Sequence, residues 1–210
     1  MSKKWIMIAA VIAIVLIGAV AAGPIMSNVE TPNYVIVKAQ GNIEIRRYDP
    51  MIIAEVQIDG PRKDAVGAGF RLLADYIFGN NLLKQDIAMT APVQQQQSAK
   101  IAMTAPVQQQ SADGRWQVSF VMPAAYTLET LPEPVNKLVT LKMVPATSFI
   151  VVRFTGMNSD GNVKKHEKQL MDYIKTNDIA VTGDPKYAFY NPPWTLPPMR
   201  RNEVMMALKR

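Results

Sequence analysis

His166 is the entire imidazole supply of this 210-residue chain, and cysteine is absent. Cys–His catalysis is therefore excluded, and with it disulfides, thiolate metal sites and iron–sulfur clusters. A Ser–His–Asp triad would have to use His166, and no Gly-x-Ser-x-Gly elbow accompanies it. Histidine metal sites need two or three donors in register, whereas His166 stands beside Glu167 with no HExxH or HxH pattern. Gly67-Ala68-Gly69 lacks the rest of a phosphate-loop fingerprint and falls inside a helical stripe. The residue types point to a binding protein and not to an enzyme.

Soft apolar groups are abundant instead, with 13 methionines in the chain. Methionine adapts to irregular pockets, although most copies serve an ordinary core. The segment from Tyr190 to Arg201 is more specific. Pro192, Pro193, Pro197 and Pro198 stiffen it, Trp194 and Leu196 offer flat apolar surface, and Arg200-Arg201 end it. A rigid aromatic rim beside guanidinium groups suits a planar ligand carrying carboxylates, because arginine grips carboxylate bidentately. A second reading stays open, in which the loop covers the end of a barrel and Trp194 packs inward.

The elements that must position these groups begin after an apolar leader. Lys3 and Lys4 precede an uncharged run from Trp5 to Ala22. As a helix those eighteen residues extend about 27 Å, close to the ~30 Å hydrocarbon thickness of a bilayer. The run is expected to be a signal anchor, spanning once with the domain outside the cytoplasm, or a signal peptide cleaved near Ala19-Val20-Ala21. Residues 1–23 are assigned to it, 24–32 to a linker and 33–210 to one domain. The formal charge of +6 is scattered, with no run of five basic residues. Nucleic acid is not an expected partner; a membrane, through residues 5–22, and an anionic small molecule are.

Two similar halves follow. Asn42 to Tyr48 alternates, with Ile43 and Ile45 on one face and Glu44 and Arg46 on the other. Pro50 breaks the strand, and Met51 to Ile58 forms the next. Pro61 opens a helix with a stripe of Val66, Phe70, Leu73 and Ile77, stopped by Gly79-Asn80. Leu138 to Val144 repeats the pattern, broken by Pro145 and resumed from Ser148 to Phe154. Asn158-Ser159-Asp160 caps a second helix striped by Val163, Glu167, Leu170 and Ile174. Tyr187 to Tyr190 and Asn202 to Leu208 close the chain. This predicts an α+β fold, a twisted antiparallel β-barrel of two similar halves flanked by two α-helices. A shorter repeat also stands out: Ile87 to Gln96 recurs word for word from Ile101 to Gln110. The copies read as extended segments that could pair as a hairpin, with Pro92 and Pro106 at edges or bulges. One copy is expected to be a surface excursion.

The words Asn42-Ile43-Glu44-Ile45-Arg46-Arg47-Tyr48, Asp75-Tyr76-Ile77-Phe78-Gly79-Asn80-Asn81 and Ile101-Ala102-Met103-Thr104-Ala105-Pro106-Val107 occur in a telling order. Val118-Ser119-Phe120-Val121-Met122-Pro123, Asn191-Pro192-Pro193 and Arg200-Arg201-Asn202-Glu203-Val204 complete the series. Together they resemble the SOUL haem-binding protein family over roughly residues 33–209. The resemblance implies non-covalent binding of haem or a related tetrapyrrole in a groove between the first helix and the loop before the last strand. Phe70, Arg71 and Ala74 would form one wall, and Trp194, Met199 and Arg200 the other. Phe70 and Trp194 would meet the macrocycle, and Arg71 and Arg200 its propionates. Some relatives place a histidine where Arg47 stands here, and basic residues where Gly67 and Asp75 stand, with Arg71 a nearby substitute. The iron ligand is left unassigned. A binding module for another amphipathic ligand or a protein partner is the alternative, since the barrel also resembles effector-binding domains of regulators.

Overall fold

The computed structural model describes residues 29–83, 98–112 and 114–209. The apolar run at 5–22 and the first copy of the repeated word lie outside these residues. Among the described residues no helix is long and apolar enough to cross a membrane. The chain order is β1 (Tyr34–Gln40), β2 (Ile43–Tyr48), β3 (Met51–Ile58), α1 (Arg62–Ile77), β4 (Asn81–Leu82), β5 (Val107–Ala112) and β6 (Arg115–Val121). Then come β7 (Glu133–Pro134), β8 (Thr140–Val144), β9 (Thr147–Phe154), α2 (Asp160–Thr176), β10 (Val181–Phe189) and β11 (Asn202–Leu208). Nine strands form one antiparallel sheet in the order β1-β2-β9-β11-β10-β5-β6-β3-β8, while β4 and β7 pair separately. The α+β assignment holds.

The sheet order carries the two halves. Exchanging β2, β3, β5 and β6 for β8, β9, β10 and β11 returns the same order read backwards. The helices obey the same exchange, since α1 packs on β3 and β6 and α2 on β9 and β11. The corner joining the halves is made by proline. Tyr48 pairs with Thr147 in one ladder and Met51 with Val144 in another, so a single register runs through both, and Pro50 falls opposite Pro145. Two opposed prolines remove both N–H donors at that point, so the ladder breaks and the two-stranded ribbon bends.

That corner forces the sheet to curl. Tyr48 and Met51 can be at most about 11 Å apart, yet β2 and β3 are separated by six strand spacings, about 29 Å in a flat sheet. The expected closed barrel is nonetheless corrected: no ladder joins β1 to β8, so among the described residues the sheet curls without hydrogen-bonded closure. β1 has no counterpart in the second half, and its unpaired edge faces outward with Val35, Ile36 and Val37 exposed.

Several local expectations are also adjusted. In α1 the buried residues are Ala65, Gly69, Leu73, Tyr76 and Ile77. The buried stripe is thus rotated from the one predicted, leaving Phe70 39% exposed. Gly69 explains the rotation: a Cβ there would lie 2.7 Å from Val118 Cγ2 and 3.1 Å from Val56 Cγ2, so the helix presses backbone-first onto the sheet. Pro61 is the residue before the helix and not its first member. Ser159 precedes α2 without a side-chain capping bond; Asn162 Nδ2 instead donates to the Met157 carbonyl at 2.7 Å. The predicted hairpin of the two repeated words cannot be followed, because the first copy is outside the described residues. The second copy is a strand only from Val107, and its hairpin partner is β6, an element the strand reading left unassigned.

Three cores result. Ile52, Val56, Leu73, Tyr76 and Val118 fill the space under α1, and Ile43, Ile150, Val163, Leu170 and Val204 that under α2. Inside the curl, Val151, Ala188 and Met205 pack with Phe149 and Tyr190. Residues from seven strands converge there on a residual cavity of only ≈ 20 Å³, so the interior is filled and not a ligand chamber.

The lumen also holds a buried ionic network. Arg46 Nη1 donates to both Glu203 carboxylate oxygens at 2.9 Å, and both residues are fully buried. Arg46 Nε donates to Glu44 at 2.6 Å and its guanidinium lies 4.5 Å from the Tyr34 ring centre. Arg201 Nε at 2.8 Å and the Tyr190 hydroxyl at 2.8 Å donate to the remaining Glu203 sites. Burial is the largest single influence on Arg46 and opposes its charge, but Glu203, Tyr48 and the hydrogen bonds to Tyr48 and Glu44 together outweigh it and hold the guanidinium above its ordinary value. Burial, reinforced by Glu203, pushes the Tyr48 phenol up to about 12; burial, reinforced by Glu167, does the same for Tyr187, also to about 12.

Two outcomes follow from this architecture. Ile101 is buried, its N–H donates to the Ile77 carbonyl at 2.8 Å, and Val107–Gln110 pair with β6 and β10. Deleting Ile87–Lys100 therefore leaves the structural copy intact and removes two bonds between Asn81 and Ala99. At about 1 kcal/mol each, the melting temperature should fall by roughly 4–8 °C; loss of cooperative unfolding would show that the excised copy is structural. Tyr48 and Tyr187 ionise near pH 10 when unfolded and later when folded, so the folded state retains protons that the unfolded state loses. Stability should be intact below pH 10 and decline as pH rises towards 12. Tyr48→Phe should flatten that decline in urea titrations at pH 9 to 12; an unchanged slope would exclude Tyr48 as a cause.

Candidate functional site

Helical geometry places Phe70 and Ala74 one turn apart on the same side of α1, with Arg71 next to them. Phe70 keeps its edge against Phe120, centroids 5.4 Å apart and planes at 65°, while the rest of the ring reaches solvent. Arg71 lines a broad hollow of ≈ 430 Å³ with Ala68, Leu72 and Asp75. Gly67 lies next to Arg71, since a Cβ at that position would meet Arg71 Nη1 at an ordinary contact distance of 3.7 Å. The guanidinium has folded back over the missing side chain.

The loop between β10 and β11 is rigid. Thr195 N–H donates to the Pro192 carbonyl at 3.1 Å, Gly156 N–H to the Pro197 carbonyl at 2.9 Å, and Arg201 N–H to Asn191 Oδ1 at 2.6 Å. Trp194 is 64% exposed, and Leu196, Met199 and Met157 are exposed around it. Trp194 therefore does not pack inward, contrary to the alternative of a loop that merely caps a barrel. Such clustered apolar exposure marks an interaction surface more often than isolated exposure does. Arg200 is held within this loop: Nε donates to the Thr195 carbonyl at 2.7 Å, Nη2 to the Pro193 carbonyl, and Nη1 meets Met157 Sδ at 3.5 Å. Its neighbour Arg201 is the arginine that pairs with Glu203 and fastens the last strand.

The six residues fall into two sets. Phe70, Arg71 and Ala74 belong to α1; Trp194, Met199 and Arg200 belong to the loop, which is tied to the start of α2 through Gly156. The hollow containing Arg71 has no loop residue in its lining. What links the two helices is Arg62, whose guanidinium pairs with Asp160 at 2.5 Å and donates to Gln109 Oε1 at 3.0 Å. It also lies 5.6 Å from the Tyr187 ring and 5.9 Å from Trp116 and Phe189. A second hollow, of ≈ 300 Å³, opens beside it and includes Lys63 and Val66. This cationic and aromatic junction was not marked by sequence reasoning; a basic pair directly after a helix-opening proline is the signal that could have drawn attention to it.

His166 plays another part. Its Nδ1–H donates to the Asn162 carbonyl at 2.8 Å, and its ring stacks on Phe154 at 4.0 Å and 8°. It packs α2 onto the sheet. Arg47 is exposed on β2. Among the described residues no group of three His, Cys, Asp or Glu side chains could hold a metal ion.

The SOUL heme-binding protein family model matches residues 29–207. No curated protein matches the chain. In fold it is similar to the C-terminal domain of EcmrR, with TM-score 0.55 and 10% identity over 80% of this chain and 97% of that one. A hydrolase from Listeria innocua gives TM-score 0.52 and 10% identity, over 82% of this chain and 94% of that one. An uncharacterized conserved protein from Listeria innocua gives 0.50 and 12%, over 85% and 92%. At such identities the likeness concerns the fold alone.

The loop geometry makes a specific outcome testable. Arg200→Ala removes the donors that stitch Thr195, Pro193 and Met157 together, a loss of roughly 1–3 kcal/mol. The ligand-free chain should melt about 2–12 °C lower. An unchanged melting temperature would mean that Arg200 does not hold the loop and is available to a ligand.

Proposed function

The chain belongs to the SOUL haem-binding protein family, and from that premise we propose that it binds haem or a related tetrapyrrole as a carrier, buffer or sensor. The observation that supports the reading best is Arg71 laid over Gly67 beside the Ala68–Leu72 hollow. This arrangement suits the edge of a planar macrocycle, with apolar contact for the ring and one guanidinium for a propionate. Phe70 and Ala74 extend the contact along α1, and Trp194 and Met199 supply an exposed second face. Arg200 contributes by keeping that face rigid.

The residues fit the macrocycle better than they fit its iron. Cysteine is absent, the one histidine is occupied in packing α2, and Arg47 cannot act as a neutral imidazole. The proposed interaction is therefore apolar contact plus a carboxylate clamp, without an imidazole–iron bond. We also place the domain outside the cytoplasm, attached through residues 5–22 or released after cleavage.

Titrating the full-length chain with hemin and with metal-free protoporphyrin IX tests the reading. Both should bind, because the proposed contacts are to the ring and its propionates and require no imidazole on the iron. A charge-assisted hydrogen bond contributes roughly 1.5–3 kcal/mol, so Arg71→Ala should weaken both about tenfold or more, and His166→Ala should leave the hemin Soret band unchanged. Binding of neither ligand would overturn the proposal. Loss of the Soret band in His166→Ala would move the site to the second helix.

A further inference from the structure

At the proline corner lies a cleft of ≈ 210 Å³ that neither helix reaches, bounded by residues 30–33, the Asp49-Pro50-Met51 link, the 121–127 turn and Met143. We infer that this cleft binds a small amphipathic cation of the quaternary ammonium class, independently of any tetrapyrrole.

The lining dictates the ligand chemistry. Its floor is apolar: Ile52 and Met122 are buried, Met51 and Tyr126 half-buried, and Met143 exposed at the mouth. Three thioethers and a phenol ring make a soft wall that adapts to branched alkyl groups. The only charged residues in the lining are Glu30 and Asp49, and no lysine or arginine faces the cleft. In a chain of net charge +6 this is a local reversal of sign. The hollows beside α1 differ in having cations in their lining: Arg71 with Asp75 in one case, and Arg62 and Lys63 with Asp160 in the other.

The acidic rim is built into the backbone. Glu30 Oε1 accepts the Ala124 N–H at 2.7 Å, which fixes the carboxylate across the mouth. The Glu30 carbonyl accepts the Ala105 N–H at 2.9 Å, and Asp49 N–H donates to the Asn33 carbonyl at 3.2 Å. The segment at 30–33 is thus pinned at both ends of the cleft. The Thr104 hydroxyl, which also lines it, is already engaged with the Val121 carbonyl. The neutral polar residues Thr31, Asn33 and Thr127 complete the lining, and its charged groups are carboxylates alone. A compact strongly hydrated ammonium would gain little from such a floor. A cation that carries its charge on alkyl groups gains apolar burial, contact with Tyr126 and two carboxylates together. A propionate-bearing ring meets repulsion at the same rim. The volume is below the roughly 300–1,000 Å³ of drug-sized pockets, which sets the size class to something near benzyltrimethylammonium.

Calorimetric titration of the full-length chain with benzyltrimethylammonium, and with phenylmethanesulfonate as the anion of similar shape, tests this. The ammonium should bind at least tenfold tighter than the sulfonate, and raised salt should weaken it. Glu30→Gln combined with Asp49→Asn should weaken the ammonium at least fivefold; glutamine keeps an oxygen for the Ala124 N–H, so the mouth retains its shape. Arg71→Ala should not change ammonium binding, which separates this site from the tetrapyrrole reading. With labelled methionine methyls, the signals of Met51, Met122 and Met143 should shift on titration. Equal binding of the two ions, indifference to the carboxamide variant, or shifts confined to Met157 and Met199 would each overturn the inference.

Discussion

The ion pair between Arg46 and Glu203 is the contact on which most of this fold depends. It joins β2 to β11 across the intervening β9, at 2.9 Å and without solvent. Neither charge could be left alone there, since breaking a buried pair by removing one partner costs about 3–5 kcal/mol. The pair also recruits its surroundings. Arg201 and Tyr190 reach Glu203 from the two ends of the loop, and Arg201 Nη2 donates to the Tyr34 hydroxyl of β1 at 3.2 Å. One carboxylate thus orients the first strand, the last strand and the loop that presents Trp194. Arg46 Nη2 has no hydrogen-bond partner among the described residues, and the aromatic face of Tyr34 is what the guanidinium meets instead. Replacing a whole buried ionic network by apolar residues is often neutral for stability; what the charges add is a single register for strands that meet only through β9.

The second constraint is the opposed pair Pro50 and Pro145. Because both lie at one point of one register, the ribbon bends there and nowhere else along its length. The bend turns an antiparallel sheet into a curled wall with a filled interior and two helix-covered outer faces. Ligand chemistry is consequently displaced outward, to the helix surfaces, the connecting loop and the corner itself. A lumen already occupied by Met205, Phe149 and the ionic network has no room for a macrocycle.

Charge is sorted by position on this frame. The outer face around α1 and the helix junction carries Arg62, Lys63 and Arg71, each beside apolar or aromatic surface. The corner carries Glu30 and Asp49 over a methionine floor. The corner is lined by carboxylates alone, whereas the hollows beside α1 set their cations next to Asp75 and Asp160. The physical basis is Coulombic selection over a shared preference for apolar bodies, so two amphipathic ligands can be told apart without shape being the main discriminator.

Much of this was legible in the residues alone. Alternation in β2, the unbroken apolar character of β3, the prolines that end them and the helix-stopping Gly79 are local signals, readable because period and turn chemistry are local properties. The family words located the same helix and loop that the structure shows as exposed apolar surface. Gly69 is the clearest failure of local reading: periodicity made Phe70 a core residue, but the glycine allows α1 so close to Val56 and Val118 that the helix rolls and Phe70 turns out. Sequence separated Arg46 from Ile45 by face; it could not say that both faces would be buried, since that requires knowing that the sheet curls. Nor could it bring Glu203 to Arg46 over 157 residues, or gather Glu30, Asp49 and Met122 around one cleft. Composition and periodicity determined most of the elements and their order. The tertiary structure decided which charges are buried together and which remain to meet a ligand, because those outcomes depend on distances that only the curling of the sheet creates.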